Sequence, residues 1–90
     1  LYGAEAKYLS AQLMYNAGEY AAAEKEILNF IDQSTPHAYW LARSFILLSD
    51  VYVAMDKKLD ARQYLLSLQQ NYHADDDIER MIQERLEKLK

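Results

Sequence analysis

His73 is followed by Asp75, Asp76 and Asp77, so an imidazole and three carboxylates fall within five positions. Such donors suit a divalent cation, but the run lacks the glycine and the distal glutamate of a calcium loop, and no second histidine lies near in sequence. The same residues read better as the start of a helix, where one carboxylate caps and the others favour the positive end. Ser34 and Thr35 beside His37 offer a hydroxyl and a base. Neighbours at a helix N-terminus do not point at one another, and no acid lies nearby to orient the imidazole. Thr35 fits an N-cap and Pro36 the first helical position. No spacing among the fourteen acids and two histidines marks an acid/base couple. The expectation is that the chain is not an enzyme and holds no metal and no cofactor.

These residues sit at the borders of helical segments. Apolar residues recur at helical spacing from end to end, with no strand pattern. The spacing predicts helices over about 3–17, 19–33, 36–55, 58–72 and 76–89. The first repeats at Ala4, Tyr8, Ala11 and Tyr15, with Leu9 and Leu13 widening the stripe. The third is apolar on nearly two sides and is expected at the centre. The fifth sets Ile78, Met81, Ile82, Leu86 and Leu89 against a charged face, the pattern of a terminal capping helix. Gly18 closes the first segment, where a left-handed residue is favoured. Asp56 stands at the matching place after the third and can take that conformation at some cost.

Composition narrows the function classes. Half the chain is apolar (51%), enough for a core, and no apolar run is long enough to span a membrane. The net charge of −4 argues against nucleic acid, whose binding needs basic surface, and less strongly against an anionic membrane surface. There is no cysteine, which excludes disulfides and thiol chemistry but selects neither cytoplasm nor periplasm. The chain opens Leu1-Tyr2-Gly3 and reads as a piece of a longer protein.

Two stretches share one pattern. Ala11, Ala23 and Ile27 in the first match Ser49, Ala61 and Leu65 in the second: a small residue, a turn, a second small residue twelve positions on, then an apolar one. Gly18-Glu19-Tyr20-Ala21-Ala22-Ala23 supplies the first turn and the start of the following helix. Phe45, Leu48 and Tyr52 fall in register with these positions. On these residues the chain resembles the tetratricopeptide repeat (TPR) family, whose units of about 34 residues are antiparallel helix pairs that touch at small residues. The offset from Ala23 to Ala61 is 38 positions, longer than that, and Asp56 replaces the usual turn glycine. Pro36 comes one position late, the second unit has no proline, and Lys7 stands where an aromatic is usual.

The resemblance implies an all-α fold of about five helices, antiparallel pairs stacked as a right-handed superhelix. It implies a single domain over 1–90, with repeats at 3–35 and 36–73 and a capping helix at 75–90. The chain looks like the C-terminal end of longer bacterial TPR proteins, with other repeats ahead of Leu1. The family's concave groove, carried over by register, would be lined by Tyr8, Gln12, Tyr15 and Asn16 from the first helix and by Arg43, Ile46, Asp50 and Val53 from the third. Tyrosine and arginine are favoured interface anchors. The implied function is a protein-interaction or assembly scaffold whose partner is a peptide, a protein segment or neighbouring repeats. A purely structural cap of a longer solenoid, or an accessory segment of a larger regulator or enzyme, are the alternatives. Some TPR domains clamp a partner's terminal carboxylate with Lys and Asn. Here Tyr8 and Gln12 stand at the first clamp positions, Leu47 replaces a further Asn, and Asp50 opposes Arg43. Recognition of an acidic, carboxylate-ended peptide is therefore not expected.

Overall fold

A computed structural model describes residues 3–32, 38–72 and 77–89. Helical spacing becomes five α-helices: α1 (Ala4–Asn16), α2 (Tyr20–Asp32), α3 (Ala38–Ala54), α4 (Lys58–Asn71) and α5 (Ile78–Lys88). Among the described residues there is no strand, so the fold is all-α. Thr35 and Pro36, the expected cap of α3, lie outside the described residues.

The two hairpins turn in the same way. Gly18 adopts φ +81° after α1, and Asp56 adopts φ +63° after α3. Gly18 N–H donates to the Tyr15 carbonyl at 3.0 Å and Glu19 N–H to that of Met14 at 2.9 Å. Asp56 N–H donates to Val53 at 3.1 Å and Lys57 N–H to Tyr52 at 2.7 Å. Both are Schellman closures, which satisfy the orphan carbonyls of a helix end through one left-handed residue. A Cβ at Gly18 would meet nothing within 4 Å, so the backbone angle alone is what calls for glycine there. Asp77 precedes α5 without a side-chain capping bond. Its carboxylate instead accepts the Tyr39 hydroxyl at 3.0 Å, tying the start of α5 to α3.

Small residues mark where helices cross closely. Ala11, Ala23 and Ala61 are fully buried in one core cluster with Tyr8, Ile27, Leu47, Leu48, Val51 and Tyr52. Ser49, the counterpart of Ala11, is equally buried and donates to the Ile46 carbonyl of its own helix at 2.6 Å. A polar group is thereby accommodated without a partner from another helix. A second cluster joins Ala42 and Ile46 of α3 and Leu65 and Leu68 of α4 to Ile78 and Ile82 of α5. Rings seal the seams: Tyr52 stacks on Tyr64 at 5.5 Å between α3 and α4, and Tyr8 meets Trp40 at 5.6 Å between α1 and α3.

As expected for a helix apolar nearly all round, α3 touches each of the other four. α5 buries Ile78 and Ile82 and exposes Glu79, Arg80, Gln83, Glu84, Glu87 and Lys88. The stripe expected on α1 is narrower than its sequence indicates. Tyr8 and Ala11 are core residues, but Leu9 and Leu13 are exposed, because α2 and α3 cover only one side of α1.

Candidate binding surface

Helical spacing places Tyr8, Gln12 and Asn16 four apart on one face of α1, where they form a ladder. The Tyr8 hydroxyl donates to Gln12 Oε1 and Gln12 Nε2 to Asn16 Oδ1, each at 3.2 Å. Arg43 of α3 lies beside it. Its guanidinium is 5.1 Å from the Tyr8 ring centre, 5.8 Å from that of Trp40 and 5.9 Å from that of Tyr39. Its Nη1 donates to the Tyr39 hydroxyl at 3.4 Å. Its Nε is buried without a hydrogen-bond partner among the described residues. Contacts of this kind hold a cation by the negative faces of the rings. Arg43 thus fastens α1 to α3 more than it offers charge to a ligand.

The other end of the surface is a cleft of about 360 Å³. Tyr15 enters from α1, Asp50 and Val53 from α3, and Arg85 and Lys88 from α5, with Lys58 and Leu65 of α4 and Leu89 just past α5. Tyr15, Asp50 and Arg85 are each 35 positions apart, so one side chain per helix falls into line across α1, α3 and α5. Arg85 grips Asp50 with Nε to Oδ1 at 3.3 Å and Nη2 to Oδ2 at 3.2 Å. Burial, then the neighbouring Asp50 carboxylate, pushes the Tyr15 phenol above its ordinary pKa, with Arg85 acting in the opposite sense. The phenol is therefore a hydrogen-bond donor at neutral pH. Three cationic side chains and one carboxylate face this cleft in a chain of net charge −4.

Of the eight residues expected on the groove, Gln12, Tyr15, Asn16, Arg43, Asp50 and Val53 fall on these two areas. Tyr8 joins the ladder but is itself buried in the first core cluster. Ile46 does not reach the surface either. It is 1% exposed and belongs to the second core cluster with Ile78 and Ile82, because α5 packs over that part of α3. The charge expectation also changes. It rested on Arg43 opposing Asp50, whereas Asp50 is neutralised by Arg85, and Lys58 and Lys88 lie on the same cleft. These three cations were missed as site residues. For Arg85 the signal was the 35-residue recurrence from Tyr15 through Asp50, which appears once α5 is read as a third helix alongside α1 and α3.

His73, Asp75 and Asp76, and Ser34, Thr35 and His37, lie outside the described residues. Among the described residues no three His, Asp or Glu side chains group to hold a metal ion. No helix there is long and apolar enough to cross a membrane. Compared with protein-family models, curated proteins and solved structures, the chain matches none.

Proposed function

We propose that the chain is a protein-interaction module of TPR-like build, which takes a segment of a partner protein on the surface formed by α1, α3 and α5. The observation that carries this reading is the cleft at Tyr15, Asp50 and Val53. It combines an apolar floor (Val53, Leu65, Leu89), a phenolic donor and the cations of Lys58 and Lys88. Apolar surface supplies affinity and a few placed polar groups supply orientation. The segment that suits it pairs an apolar side chain with an acidic one, since unlike charge at the rim favours encounter and register.

Selection of peptides from a random library on the folded chain, followed by titration, tests this reading. Val53→Asp and Lys88→Glu alter exposed side chains. They are expected to weaken the selected peptides at least tenfold with the melting temperature unchanged. Peptides that bind both variants as well as the parent chain, or no selected peptides at all, would overturn it.

A further inference from the structure

The charges around the cleft do not cancel. Asp50 is the carboxylate among its lining side chains, and Arg85 holds both of its oxygens, at 3.3 and 3.2 Å. Lys58 and Lys88 line the same cleft, and neither has an ion-pair partner among the described residues. The acids nearest them in sequence, Asp56, Asp60, Glu84 and Glu87, do not line it. Two positive charges are therefore left over, one from α4 and one from α5, on a chain of net charge −4.

The kind of cation matters as much as the count. A guanidinium fork reads a carboxylate through two parallel bonds, and the fork here already holds Asp50. What remains is a pair of ammonium groups, point charges of the sort that bind phosphate. A partner carboxylate brings one charge and leaves one ammonium uncompensated. A phosphate monoester brings about −1.5 to −2 charge at neutral pH and three acceptor oxygens. Those oxygens match two ammonium groups and the Tyr15 hydroxyl.

Size sets a second condition. At about 360 Å³ the cleft lies near the lower end of ligand sites, which run from roughly 300 to 1,000 Å³. It has room for one large side chain against Val53, Ala54, Leu65 and Leu89. The apolar part and the anionic part then belong to one residue. We propose that the cleft receives a phosphorylated tyrosine side chain of the partner segment, with its ring against Val53 and Leu89 and its phosphate held by Lys58 and Lys88. The inference rests on the reading of this cleft as the place where a partner segment docks, and adds the chemistry of the residue recognised.

Phenyl phosphate carries the same ring and dianion, methyl phenyl phosphate the same ring with one charge fewer, and inorganic phosphate the charge without the ring. Each is titrated into the isotopically labelled 90-residue chain at about pH 8, where the monoester has lost its second proton. Phenyl phosphate is expected to shift the amide signals of Val53, Lys58 and Lys88, and to bind at least tenfold tighter than either of the others. Lys58→Gln and Lys88→Gln alter exposed side chains, and each should reduce that preference with the melting temperature unchanged. Phosphotyrosine peptides with random flanks should bind tighter than phenyl phosphate, because a protein segment adds contacts beyond the ring. Equal affinity for phenyl phosphate and its methyl ester would overturn the proposal, as would phosphotyrosine peptides that bind no tighter than phenyl phosphate. Unphosphorylated peptides that bind at Val53 while phenyl phosphate does not would overturn this inference alone and leave the docking of a segment standing.

Discussion

Arg85 holds Asp50 through two parallel hydrogen bonds, 3.3 and 3.2 Å long, joining α5 to α3 at the cleft. Both side chains keep about a quarter of their surface in solvent, at 29% and 25%. A pair so placed is worth about 0.5–1 kcal/mol, towards the upper end because the geometry is bidentate. A double-mutant cycle with Asp50→Ala and Arg85→Ala should return a coupling of that size, smaller in high salt. No coupling at low salt would show that the pair does not fasten α5.

Ala23 and Ala61 are both 0% exposed, at the two close crossings. Ala23→Leu or Ala61→Leu inserts three carbons where no space remains, at a cost of about 1–3 kcal/mol each. Urea unfolding measures it. Midpoints equal to that of the parent chain would remove the basis for treating the two positions as equivalent.

Gly18 and Asp56 occupy the same left-handed position with different residues. Gly18→Ala should cost about 1 kcal/mol through the backbone alone, since its Cβ finds open space. Asp56→Gly should act in the opposite sense, gaining up to about 1 kcal/mol as the strain of a substituted residue is relieved. Changes of the same sign in the two melting temperatures would contradict this.

Tyr52 carries the larger part of the alkaline pH dependence, and Tyr15 acts in the same direction. Burial, then the Glu24 carboxylate that accepts its hydrogen bond, raises the Tyr52 phenol well above the ordinary tyrosine value. Below about pH 10 the phenol is protonated whether the chain is folded or not. Above it, the unfolded chain loses that proton while the folded chain keeps it, so stability falls as pH rises towards the folded value. Melting followed from neutral pH to about pH 11 should show this loss, with a shallower slope in Tyr52→Phe. Equal slopes would place the alkaline sensitivity elsewhere.

Where the sequence was legible, the cause was local. Gly18 and Asp56 announce turns because few residues accept a positive φ, and Ala23 and Ala61 announce crossings because small residues admit a near neighbour. Tyr8, Gln12 and Asn16 share a face through helical spacing alone. The rest depended on which helix lies against which. α3 is apolar nearly all round, so periodicity did not distinguish Ile46, which α5 covers, from Val53, which solvent reaches. Leu9 and Leu13 carry the pattern of a buried stripe, and nothing in their own helix tells whether a neighbour is there. Asp77 binding Tyr39 and Arg85 binding Asp50 are pairings across 38 and 35 positions that only tertiary packing creates.

The position of α3 has a consequence for how the molecule opens. Neither α1 nor α2 packs against α4 or α5 among the described residues; both hairpins meet through α3 alone. Losing either flank strips one side of α3 but leaves the other intact, whereas losing α3 separates the α1–α2 pair from the α4–α5 pair. Local openings should therefore release amide protons of α1, α2 and α5 at different rates, each set by its own small fragment of core. The amides of the middle turns of α3 have no such private route. They exchange only when the whole chain comes apart, and their slowest rates report its global stability.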